Sequence, residues 1–241
     1  MAIETNRRTE VRQVVWSKGI MRFPVLIINF KVYKEALKPI AYLAKAVAAE
    51  TGTEIVLCPS HVFLKDVSKI MPVFAQNIDP AELGAHTGAV IAEYVKAAGG
   101  IGALINHSEK RIPMSDIKVC VERCKAVGLL SCVCAASEQE VEQIAKMNPD
   151  MILIEPPELV GGNVSVSTAR PEIVKNSVEI AKRINRSIKV LCGAGIKNRN
   201  DVKKAIELGA DGVGVSSGIV KAPDIEKAIR DIAAGFHGAK K

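Results

Sequence analysis

No stretch of the 241-residue chain stays apolar for the roughly 18 residues that a membrane span needs. Nothing near the start has the apolar core of a secretory signal either, so the membrane and secreted classes are set aside. The six cysteines form no CxxC pair and are not interleaved with histidine, which leaves a structural metal site without its usual spacing. They read instead as small apolar core residues of a reduced, cytoplasmic protein, and no metal or other cofactor is expected. No GxGxxG turn follows the first apolar run, so an open, doubly wound dinucleotide-binding sheet lacks its signature.

What remains is the balance of a globular protein, with hydrophobic residues at 48% and charged residues at 24%. The net charge of +7 raises the question of nucleic acid. The basic residues are however spread through helical segments beside acidic ones, as in EKAIRD and DVKKAIE, which marks solvated faces rather than a binding stripe. Neither a nucleic-acid nor a membrane partner is expected.

Residues 1–20 differ from the rest: they hold three arginines and the sole tryptophan and have no useful helical or strand period. Glu4 and Glu10 speak against a mitochondrial presequence, which is acid-poor. The segment reads as an N-terminal extension, with Met21 as an alternative start. It is either a disordered tail or an arm that packs Val14, Val15 and Trp16 on a neighbouring surface.

From Pro24 onward, short apolar runs alternate with stretches of helical period eight times over. The strand candidates are 25–31, 54–58, 73–76, 101–106, 129–134, 151–155, 189–193 and 212–216, and helical patterns include 35–50, 115–127, 138–147, 170–184 and 201–208. Eight such units in a chain of this size predict a single-domain (β/α)8 barrel, the TIM barrel, over residues 21–241. Gly52, Gly99, Gly128 and Gly209 stand where helices should end, and Ser115, Ser137 and Thr168 where helices should begin.

The carboxyl ends of the strands carry the unusual residues. Asn29 and Lys31 follow the first, Gln76 and Asn77 the third, Asn106, His107 and Glu109 the fourth, and Glu155 the sixth. Strands buried on both faces do not need polar ends in order to fold, so a cation, an imidazole and a carboxylate at one barrel face make a site. Glu155 is the candidate general base, His107 the donor to an oxygen that gains charge, and Lys31 a fixed positive potential. Taken singly, a solvated lysine, a satisfied core histidine or a capping glutamate is the blander reading; three together at one face are not so easily explained. The glycine- and serine-rich turns CGAGI at 192–196 and VSSGI at 215–219 follow strands seven and eight, where barrels commonly bind phosphate through backbone amides.

The segments NFK (29–31), NHSEKR (106–111), EPPELVGG (155–162), CGAG (192–195) and VSSG (215–218) resemble triosephosphate isomerases of the short archaeal form. Order and spacing agree from about Met21 to Gly235. The resemblance implies interconversion of dihydroxyacetone phosphate and glyceraldehyde 3-phosphate through an enediolate. Glu155 matches the family's base, His107 its electrophile and Lys31 its active-site lysine, with Asn29 contacting substrate and Glu109 behind them. Phosphate contacts are implied for Val160, Gly161, Gly195, Ser216 and Ser217. This family is itself the standard example of a glutamate base beside a neutral histidine, and of a sixth-loop lid, here 156–166, so both assignments come from the resemblance. Departures include the PPE hinge, Asn106 in place of glycine before the histidine, and SSG in place of GG; all leave the chemical groups intact. Residues 75–90 resemble the third loop that the family projects into a partner subunit, which implies self-association as a dimer or tetramer. The alternatives are another phosphosugar barrel isomerase and a non-catalytic phosphate-ligand-binding barrel.

Overall fold

The computed structural model describes residues 21–37, 39–156 and 165–237. The N-terminal extension, Val160, Gly161 and most of the proposed lid lie outside the described residues.

Eight parallel strands form one sheet: β1 (Val25–Asn29), β2 (Glu54–Cys58), β3 (Phe74–Ala75), β4 (Gly102–Ile105), β5 (Leu130–Ala135), β6 (Met151–Ile154), β7 (Lys189–Cys192) and β8 (Gly212–Val215). The order runs β2-β1-β8-β7-β6-β5-β4-β3, and a parallel bridge between Leu57 and Val73 joins its two ends. The sheet therefore closes on itself as the (β/α)8 barrel that the alternation predicts.

The helices are α1 (Ile40–Thr51), α2 (His61–Val67), α3 (Ala92–Ala97), α4 (Met114–Val127), α5 (Glu138–Ala145), α6 (Val166–Ala169), α7 (Pro171–Ile184), α8 (Arg199–Glu207), α9 (Ser217–Val220) and α10 (Ile225–His237). None among the described residues is long and apolar enough to cross a membrane.

Two apolar layers follow from the strand period of two. Leu26 and Ile28 of β1 belong to the outer layer, which packs against the helices. Val25 and Ile27 join Val56, Phe74, Leu104, Cys132, Cys134, Met151, Leu153 and Leu191 in the smaller layer inside the barrel. Phe74 fills its share of that interior because Gly102 has no side chain: a Cβ there would lie 2.6 Å from the ring. The alternation also sets the site. Met151 and Leu153 point inward, so the next inward position on that strand is Glu155, just as Asn29 follows Val25 and Ile27.

Several local expectations need correction. The pattern over 35–50 is not one helix but a 3-10 turn, Lys34–Leu37, followed by α1. Pro39 occupies the N-cap of α1; a proline lacks the N–H that a continuous helix would need and disfavours helical geometry in the residue before it. Ser137 does cap α5 by accepting from the Glu140 N–H. Ser115 instead lies inside α4, whose N-cap is Pro113, and Thr168 lies inside α6. Gly52 and Gly128 are left-handed C-caps, whereas Gly99 and Gly209 stand one residue beyond theirs with the positive φ a chain reversal requires.

Candidate active site

Three loops bring the unusual polar residues to one mouth. Four described residues other than glycine have positive φ, and three of them, Lys31 (47°), Asn106 (62°) and Ala194 (63°), follow β1, β4 and β7 at the carboxyl face. Left-handed geometry costs such residues of order 1–3 kcal/mol, so surrounding contacts must impose it. The Asn29 side chain accepts from the Lys31 N–H at 2.9 Å, and the Gln76 amide donates to the Lys31 carbonyl at 3.0 Å. The Asn106 amide donates to the Cys134 carbonyl at 3.0 Å, while its Oδ1 accepts from the Ile112 N–H at 3.1 Å. Asparagine before His107 thus ties the fourth loop to β5, a task that glycine could not perform.

One pocket is lined by Asn29, Lys31, His107, Glu155, Gly195, Ser216 and Ser217. Of the site residues expected from sequence, only Val160 and Gly161, which are not described, and Glu109 are missing from that lining. Glu109 stands behind it: its carboxylate accepts from Lys31 Nζ at 2.7 Å and lies 3.8 Å from His107 Nδ1. Lys31 is 12% exposed and Glu109 57%, so the pair directs the ammonium more than it stabilises the fold.

The histidine's tautomer follows from its hydrogen bond. His107 Nδ1 accepts from the Glu109 backbone N–H at 3.1 Å, so in the neutral ring the proton resides on Nε2. That nitrogen lies 3.6 Å from Glu155 Oε2, too far for a hydrogen bond. Both groups are nearly buried, the side chains being 8% and 11% exposed, and Glu155 Oε2 has no hydrogen-bond partner among the described residues. Burial holds the Glu155 carboxyl above the usual carboxylate range; His107, the Cys134 thiol and Lys31 pull it down, and Glu109 adds to the rise. A carboxylate with a raised proton affinity and an empty acceptor is equipped to take a proton from something lodged between it and the imidazole.

Next to Glu155, because β7 adjoins β6, Ala194 and Gly195 are consecutive left-handed residues, so the backbone turns tightly where it lines the pocket. Ser216 Oγ is buried beside them without a hydrogen-bond partner among the described residues. Gly218 lets α9 approach this turn, since a Cβ there would stand 2.9 Å from the Ile196 carbonyl oxygen. The wall is suited to a small oxyanion.

Some neighbours of the site carry no sequence signal as such. Cys134, read as plain core, lies beside the Glu155 carboxyl, and Tyr33 lines the same pocket. The period of two could have found Cys134, because it places Cys132 and Cys134 on the inner face of β5.

The comparisons with known proteins agree with this architecture. The family model described as "Triosephosphate isomerase" matches residues 24–232. A triosephosphate isomerase of Methanothermus fervidus is 43% identical over 216 residues, 87% of this chain and 97% of the relative. Those of Methanocaldococcus jannaschii and Methanopyrus kandleri are each 43% identical, over 86% and 90% of this chain and 98% and 100% of their own lengths. With the barrel closed and these matches spanning most of it, the chain belongs to the triosephosphate isomerase family.

Proposed function

We propose that this protein catalyses the reversible interconversion of dihydroxyacetone phosphate and D-glyceraldehyde 3-phosphate, as an enzyme of glycolysis and gluconeogenesis in the cytoplasm. The observation that carries the reading is Glu155 Oε2, without a hydrogen-bond partner among the described residues and facing His107 Nε2 across 3.6 Å, in a pocket that also holds Lys31 and the turn at Gly195.

In this reading Glu155 removes a proton from the carbon next to the carbonyl. The C–H electrons form the enediolate double bond, and the carbonyl oxygen takes up the charge. His107 donates its Nε2–H to that oxygen, and the Lys31 ammonium, oriented by Glu109, lowers the energy of the anion. The hydroxyl proton on the first carbon's oxygen passes by way of His107 to the oxygen that gained charge, and Glu155 returns the carbon-bound proton to the neighbouring carbon, which leaves the new carbonyl on the first carbon. Asn29 contacts substrate, and the amides about Gly195, with Ser216, Ser217 and the sixth-loop residues Val160 and Gly161, hold the phosphate away from the base. No step calls for a metal or cofactor.

A coupled assay with glyceraldehyde 3-phosphate tests the reading. Folded protein without turnover sinks it, and stabilisation by glycerol phosphate without turnover would favour a ligand-binding barrel instead. Glu155→Gln should lower kcat by about 10²- to 10⁴-fold, the usual contribution of a general base; a loss below about tenfold would remove Glu155 from that role.

Self-association as a dimer or tetramer belongs to the same proposal. A groove of about 420 Å³ beside the first loop is lined by Val32, Leu37, Tyr42 and Phe63, all exposed apolar side chains. The third loop is closed at its base, where the Asp79 carboxylate accepts from the Val90 N–H at 2.7 Å, and it presents an exposed Leu83. An isologous pairing of loop with groove would cover both. Light scattering that finds only monomer counts against it.

A further inference from the structure

We infer that Asp201 is a positioning residue that holds the anion-binding turn of the seventh loop. The inference rests on the reading of that turn as the phosphate wall. Asp201 is the third residue of α8, and the helix has a sufficient cap without its side chain: Asn198 Oδ1 accepts from the N–H groups of Asn200 and Asp201. The carboxylate instead reaches back out of the helix. Its Oδ2 accepts from the Lys197 backbone N–H at 3.0 Å. Its Oδ1 accepts from Ser165 Oγ at 2.7 Å and from Thr168 Oγ1 at 3.4 Å. Ser167 Oγ adds a bond to the Asp201 carbonyl at 3.1 Å.

One carboxylate thus joins the chain that follows the sixth loop to the turn that follows β7. Ser165 and Ser167 are buried, and a hydroxyl placed in a core without need costs more than an alanine there. The need lies in the turn. Ala194 and Gly195 are left-handed in succession, and an alanine in that region is strained unless its surroundings hold it. Gly218 constrains the turn at the Ile196 carbonyl, and the bond from Lys197 to Asp201 fixes the residue that follows. With that bond lost, the turn relaxes and the wall that it contributes to the pocket loses its shape.

Inorganic phosphate binding, measured by calorimetry on the full-length protein, tests this without requiring turnover. A wild-type protein that binds phosphate but does not isomerise removes the proposed function and leaves the role of Asp201 open to the same measurement. One that does not bind phosphate removes the phosphate wall and this inference with it. For Asp201→Ala, loss of a hydrogen bond to a charged group predicts a Kd for phosphate raised about tenfold or more. If the enzyme turns over, KM rises in step while kcat changes less than about threefold, the pattern of lost binding shared by ground and transition states. A merely structural role predicts a lowered melting midpoint with phosphate affinity of the folded protein within about twofold of wild type, and that result overturns the inference. Should Asp201→Ala fail to fold, Asp201→Asn carries the test. Its carbonyl oxygen can accept from Lys197 while its amide donates to Ser165 Oγ, but both bonds lose the charged acceptor, so a loss of about threefold is expected, and wild-type affinity overturns the inference.

Discussion

A Cβ on residue 193 would lie 2.5 Å from Cγ of Glu155 and 2.9 Å from its Oε1. Gly193 follows β7 and donates its N–H to the Ile154 carbonyl at 2.9 Å, which sets it beside the end of β6. The missing side chain is therefore the slot in which the Glu155 side chain rests. Gly193 is not among the residues with positive φ, so its backbone does not itself demand glycine.

Gly193→Ala should fold, yet displace the carboxylate. The expected result is a kcat lower by about 10²-fold or more, comparable with losing a general base, and little change in KM. Adding Glu155→Asp, one methylene shorter, should cost the Gly193→Ala variant less than it costs the wild type, as coupled neighbours require. Additive losses in that double-mutant cycle would falsify the slot.

Glu155 also links function to stability. Its carboxyl is held above the usual range first by burial, against the pull of His107, Cys134 and Lys31. Between its unfolded and folded values the native state holds more protons than the unfolded chain, so stability falls as pH rises through that window. Above it the full penalty of burying the charge is present. Glu155→Gln removes the penalty and should melt at a higher temperature than wild type near about pH 7, the gap closing as pH drops below the ordinary glutamate range. Thermal scans across pH check this; a gap that widens toward acid reverses the sign and rejects the assignment.

None of the six cysteines is in a disulfide, and all are buried. Burial raises the Cys120 thiol to about 12 and pushes those of Cys58, Cys132, Cys134 and Cys192 up as well. Thiolate is the reactive form, so the native protein should react slowly with a thiol reagent at neutral pH, and denaturant should release six reactive groups. Fast labelling of native Cys134 would mean that the barrel interior opens to reagent more readily than its packing implies.

The closed barrel was legible because parallel strands covered on both faces need uninterrupted apolar runs: seven of the eight observed strands lie within the expected runs, and β5 passes the end of its run by one residue, Ala135. Glu155, His107 and Lys31 stood out because charged groups at the ends of such strands are costly without a role. Helix boundaries were less legible: Pro39 divides one helical pattern, and a serine near a helix start is a cap only where the backbone turns in at that residue, as at Ser137 but not Ser115.

What the sequence determined by itself was local and periodic: which runs are buried, which faces they present, and which polar side chains arrive at their ends. Only the tertiary structure decided what those side chains meet. The tautomer of His107 follows from one backbone N–H, the slot for Glu155 from a glycine just past the next strand, and the hold on the seventh-loop turn from an aspartate 36 residues away from Ser165. Such pairings depend on strand register and loop geometry, which arise from packing the whole barrel, and no local pattern encodes them.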